Sequence, residues 1–257
     1  MSVGRLLLIC TCVLLGCDVR PANQQPVALV WAAASDLAAA APELTAGFKQ
    51  ETGIDVSVTL GSSGQLAQQI LNGAPIDVFA SADSGWVQRL TDASKTVPGT
   101  VAVYARGHLV LFTMNDSLAI DRVEDVAAPA VARVAIANPE SAPYGRAARE
   151  ALQSARVWAQ VEPKLIIGEN VRHTVQLTQS RNVDVAITSR SLMQEGTGRW
   201  VVVPESLHAP LTQVAAVVSG RPHEQQAQQF LRFLLGPEGR RILGRFSFAL
   251  PPVADTR

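Results

Sequence analysis

Three times between Val27 and Asp83 the chain passes from an apolar run into small residues and then into a helical pattern, and two of these bends carry serine where the helix begins. The first reads Val30-Trp31-Ala32-Ala33-Ala34-Ser35-Asp36-Leu37, the second Thr59-Leu60-Gly61-Ser62-Ser63-Gly64. Where a buried strand stops at a helix N-terminus, the first backbone N–H groups lack intrahelical partners and sit at the positive end of the helix dipole. A serine there either caps the helix or turns its hydroxyl to a bound anion. Two such bends from adjacent strands form a neutral cradle for an oxyanion, although a serine cap taken singly is most often structural.

The alternation of strand and helix fixes the fold class. Leu37, Ala41, Leu44 and Phe48 recur at helical spacing, Thr52-Gly53 ends that helix, and Pro42 is expected in the first turn of a restarted helix. Ile54 to Leu60 reads as a strand, Leu66, Ile70 and Leu71 as a short helix closed by Gly73-Ala74-Pro75, and Ile76 to Ala80 as a third strand. A helix with Trp86, Val87 and Leu90 inward follows. Successive βα units predict a parallel sheet whose ligands lie beyond the carboxyl ends of the strands, where Ser35, Ser63 and Ala82 fall. Asp36 is expected to favour the helix N-terminus from its solvent side rather than to serve as a base.

A second α/β region follows two strands, Val101 to Tyr104 and His108 to Thr113, separated by Ala105-Arg106-Gly107, a natural crossing between lobes. Its strands are Val134 to Ala137, Lys164 to Gly168 and Val183 to Thr188, the last leading into Ser189-Arg190-Ser191. Tyr144 and Val171 each follow a strand and precede a helix, so their region offers donors at the same sheet edge. Trp200 to Val203 and Val214 to Ser219 carry the chain back, and amphipathic helices run from His223 to Leu235 and on from Gly236-Pro237. The expected architecture is bilobal α/β, with residues 27–105 plus 214–257 as lobe 1, residues 106–213 as lobe 2, and a hinge of two crossovers.

Charge narrows the ligand. Lysine plus arginine and aspartate plus glutamate each number 22, so no field of one sign draws nucleic acid or an acidic membrane, and a bound anion must be held by local dipoles. Catalysis has little to work with: His108, His173, His208 and His223 are scattered without metal-ligand spacing, and there is no Gly-x-Ser-x-Gly elbow or Gly-x-x-x-x-Gly-Lys loop. No catalytic residue, no cofactor and no free metal cation are therefore expected.

The N-terminus is of another kind. Arg5 precedes Leu6-Leu7-Leu8-Ile9 and then Leu14-Leu15-Gly16-Cys17, a short secretory signal rather than a spanning helix. Leu-Leu-Gly-Cys resembles the bacterial lipoprotein signal, which implies residues 1–17 as signal and lipobox, lipid on Cys17, and residues 18–26 as a tether; an ordinary signal peptide is the other reading. All three cysteines, Cys10, Cys12 and Cys17, lie here, so the mature body has no disulfide to form. Asp18 resembles the residue that retains some lipoproteins at the inner membrane, so the expected location is the periplasmic side of that membrane.

Longer stretches carry a family resemblance. They include Ala32-Ala33-Ala34-Ser35, Gly61-Ser62-Ser63 with Leu66, Gly73-Ala74-Pro75-Ile76-Asp77-Val78-Phe79-Ala80-Ser81-Ala82-Asp83, Asn138-Pro139 to Pro143-Tyr144-Gly145-Arg146-Ala147-Ala148, Glu169-Asn170-Val171-Arg172, and Phe233-Leu234-Leu235-Gly236-Pro237-Glu238-Gly239. Together they resemble the periplasmic molybdate-binding proteins of ABC importers, which have the type II periplasmic binding protein fold. The resemblance implies a tetrahedral dianion, molybdate or tungstate, bound by Ser35 and Ser63 and by the amides of Tyr144 and Val171. Some members place a ligand tyrosine where this chain has Ser189; others use the tyrosine of a Pro-Tyr-Gly loop, so the phenol donor is expected from Tyr144. It also implies a monomer that hands its ion to an inner-membrane permease and meets the membrane only through lipid on Cys17. A receptor for another tetrahedral oxyanion such as sulfate, a lipoprotein with a vestigial cleft, and an enzyme on the same fold are the rival readings.

Overall fold

The structure is a computed structural model that describes residues 28–252; the signal segment, Cys17 and the tether lie outside them. Among these residues ten strands form two five-stranded sheets, accompanied by eight α-helices. In the first lobe, β1 (Ala28–Ala34), β2 (Asp55–Gly61) and β3 (Val78–Ser81) alternate with α1 (Ala41–Thr52), α2 (Ser63–Leu71) and α3 (Ser84–Asp92), and β4 (Ala102–Gly107) follows. The second lobe holds β5 (Leu109–Thr113), β6 (Val134–Ala137), α4 (Pro143–Ser154), α5 (Trp158–Val161), β7 (Leu165–Gly168), α6 (Val171–Gln179), β8 (Val185–Ser189) and β9 (Arg199–Val202). Then β10 (Leu211–Val217), α7 (Glu224–Leu235) and α8 (Pro237–Arg245) complete the first lobe.

The strand orders, β2-β1-β3-β10-β4 and β7-β6-β8-β5-β9, show the same design twice. Each lobe has three parallel strands from consecutive βα units, with the first unit's strand in the middle. Beside them lies an antiparallel strand next to a lobe crossing: β10 in the first lobe, β5 in the second. The sheets are therefore mixed rather than wholly parallel. β1 is buried on both faces from Trp31 to Ala34, which is why it reads as a continuous apolar run instead of an alternating one.

The crossings lie slightly outside the boundaries expected at 105/106 and 213/214. β4 continues to Gly107, paired with Leu211, and Arg106 exchanges both backbone hydrogen bonds with Ala249. These ladder bonds hold Arg106 and Gly107 in the first sheet, so the chain crosses at His108 and returns between Val202 and Leu211. The first-lobe core packs Trp31, Phe48, Phe230 and Phe233 edge to face or stacked on one side of the sheet, and Leu66, Ile70, Phe79 and Leu90 on the other. α1 does restart, with Pro42 in its first turn and Gly53 in a left-handed C-cap.

Candidate functional site

The carboxyl ends of β1, β2, β6 and β7 face one another across the lobe boundary. Ser35, Ser63, Tyr144 and Val171 line one small cavity there, with Ala34, Asp36, Gly61, Ser62, Ala82, Ala142, Pro143 and Asn170. Its free volume is only about 10 Å³, roughly that of a single water-sized sphere. The walls are in contact. Ala34 and Ala82 of the first lobe pack in one apolar cluster with Ala142, Tyr144 and Val171 of the second, and the Gly64 N–H donates to the Ser141 carbonyl at 2.8 Å. Arg146 on α4 pairs with Asp83, the N-cap of α3, across the same seam.

Each lining donor owes its freedom to a neighbour. Ser62, not Ser63, caps α2, in a reciprocal capping box with Gln65. Ser63 is therefore released from capping; its Oγ accepts the Ala82 N–H at 3.0 Å, which leaves the hydroxyl proton to be donated elsewhere. Ser35 opens a 3-10 turn, Ser35–Leu37, that has no side-chain cap, and its hydroxyl makes no hydrogen bond among the described residues. On the second lobe, Pro143 occupies the first turn of α4 and lacks an N–H, so Tyr144 supplies that helix's first free amide. Asn170 caps α6 through the His173 N–H, and Val171 begins the helix.

The Tyr144 hydroxyl lies 3.5 Å from Gln213 Nε2, beside Asp36 and Ser189, and so close over Gly107 that a Cβ there would lie 2.0 Å from it. Ser189 does not line the cavity; it is fully buried behind it, with its Oγ 2.8 Å from Ser191 Oγ.

Asp36 departs furthest from its expected place on the solvent side. It is 1% exposed and lines the cavity, because the 3-10 turn rotates it inward. Oδ2 accepts from Gln213 Nε2 at 2.8 Å, and the Tyr104 hydroxyl donates to Gln213 Oε1 at 2.9 Å. Burial pushes the Asp36 carboxyl up from 3.8 to about 7, against hydrogen bonds from Tyr144 and Gln213 that favour the ionised form. Burial and the nearby carboxylate together hold the Tyr104 and Tyr144 phenols well above their ordinary values. Gln213 was legible only as a polar residue ahead of an apolar strand; a β-bulge between Gln213 and Val214 aims it at the hinge.

Residues 29–249 match the family model of bacterial extracellular solute-binding proteins. The molybdate-binding protein ModA of Rhodobacter capsulatus is 33% identical over 86% of this chain and 87% of its own. The ModA of Escherichia coli K12 is 31% identical over 85% and 87%, respectively. In structure, the periplasmic molybdate-binding protein of Azotobacter vinelandii superposes with a TM-score of 0.83 at 27% identity, covering 87% of this chain and 99% of that one.

Proposed function

The chain belongs to the bacterial extracellular solute-binding proteins, and from that premise we propose that it captures molybdate in the cleft between its lobes and delivers it to an ABC transporter. The observation that supports this most is that Ser35, Ser63, Tyr144 and Val171, from both lobes, line one small cavity. Hydroxyls and helix N-termini from both lobes can each address a different oxygen of a tetrahedral dianion. Hydrogen bonds to a charged group contribute about 1.5 to 3 kcal/mol each. Half a dozen of them support a dissociation constant in the nanomolar to micromolar range once ordering costs are met, by order of magnitude.

Tungstate, with the same charge and shape, fits the same donors and belongs to the proposal. So do a permease in the inner membrane as recipient, and a lipid anchor on Cys17 that keeps the receptor beside it. In this reading the cleft is a receptor site: its walls supply donors, and the closed form is what the transporter recognises.

A thermal-shift and calorimetric screen with molybdate, tungstate, sulfate, phosphate and amino acids tests the reading. Molybdate and tungstate are expected to raise the melting temperature by several degrees and to bind with one-to-one stoichiometry. A response to sulfate alone would reassign the ion, and no response to any oxyanion would remove the receptor function.

A further inference from the structure

A carboxylate in the wall of an anion site is a conflict, and Asp36 creates one. Asp36 lines the cavity beside Ser35 and Ser63. Oδ2 is hydrogen-bonded to Gln213, whereas Oδ1 is fully buried with no partner at normal hydrogen-bond geometry. Among the described residues no cation compensates it. Of the charged groups on the surrounding elements, Arg106 and His108 face Glu205, Arg146 pairs with Asp83, and Arg190 lies over the Trp200 ring. On α6, Arg172 is exposed and His173 Nδ1 accepts the Glu169 N–H. The titratable groups that do face Asp36 are the phenols of Tyr104 and Tyr144, both held protonated.

A dianion brought into this cavity would face a second negative charge in a space that excludes water, where like charges repel strongly. A proton on Asp36 removes the repulsion and lets the carboxyl donate a hydrogen bond. On the reading of the cleft as an oxyanion site, we infer that Asp36 is a specificity-determining residue that takes up one proton as the lobes close on the ion. An ionised Asp36 would be a strong acceptor for the O–H of a protonated oxyanion; the neutral carboxyl offers a donor instead and favours a fully deprotonated ligand. Burial already displaces this carboxyl upward to about 7, and an adjacent dianion moves it further in the same direction.

The sign of the pH dependence follows. Opening would uncover the side of Asp36 that faces the second lobe, so its carboxyl would titrate lower in the open form than in the closed, liganded form. Affinity is therefore greatest below the open-form value. It falls about tenfold per pH unit as pH rises toward the closed-form value, and levels off beyond.

Calorimetry of the mature chain with sodium molybdate, near neutral pH and in buffers of different ionisation enthalpy, counts the protons exchanged. Uptake of close to one proton per ion is expected in the wild type, with none in Asp36→Asn and no pH slope in that variant's affinity. Infrared difference spectra of the wild type give a second readout that needs no variant: a protonated-carboxyl band is expected to appear on adding molybdate. Saturable binding without proton uptake, uptake that persists in Asp36→Asn, or no such band overturns the inference. No saturable binding of molybdate to the wild type overturns the oxyanion reading together with the inference that rests on it.

Discussion

Ser62 and Ser63 divide two tasks that a single serine could not perform together. Ser62 satisfies the α2 N-terminus through the capping box, while Ser63, accepting from Ala82, keeps its proton for the cavity. Replacing Ser35 and Ser63 together by alanine is expected to cost about 3 to 6 kcal/mol of binding, two charge-assisted hydrogen bonds, read by calorimetry. Alanine at Ser62 acts instead on folding, lowering stability by about 1 kcal/mol in a denaturant melt. The sequence made both serines candidates but could not say which one caps, because shifting a helix start by one residue exchanges their roles. Asp36 was misread for a related reason. A 3-10 turn advances 120° per residue rather than the 100° of an α-helix, so inward and outward cannot be carried back to Asp36 from the α1 pattern of Leu44 and Phe48.

At the scale of elements, the α2 N-terminus touches the loop before α4 so closely that it requires glycine. A Cβ on Gly64 would lie 2.6 Å from the Trp86 ring and 2.9 Å from the Ser141 carbonyl across the cleft. Gly64→Ala is therefore expected to hold the lobes slightly apart and weaken molybdate binding by about 1 to 3 kcal/mol, the usual cost of overpacking. Small-angle scattering should show less compaction on adding ion than in the wild type; unchanged affinity and compaction would mean that this contact does not gate closure. Of the helix termini that build the site, those of α4 and α6 were legible, since Pro143 and Asn170 are strong start signals, and that of α2 was legible only to within one residue. The pairing of Arg146 with Asp83 was not, because the partners stand on different lobes and no local pattern relates them.

For the whole molecule, the alternation of strands and helices made two α/β lobes legible before any coordinates. The antiparallel members were not: β10 joins β3 and β4 from more than a hundred residues away, and nothing in its apolar run states its direction. That long-range pairing also moves the crossing past Gly107 and brings Gln213 to Asp36, so the polar hinge escaped a reading built on consecutive units. With the lobes in contact, donors from four strand ends surround one small cavity. Anomalous diffraction at the molybdenum edge, from crystals grown with molybdate, tests this arrangement most directly. A single strong peak is predicted between the hydroxyls of Ser35 and Ser63 and the amides of Tyr144 and Val171, within hydrogen-bond reach of its oxygens. A peak elsewhere on the protein, or an ion held at that place by a lysine or arginine side chain, would contradict it.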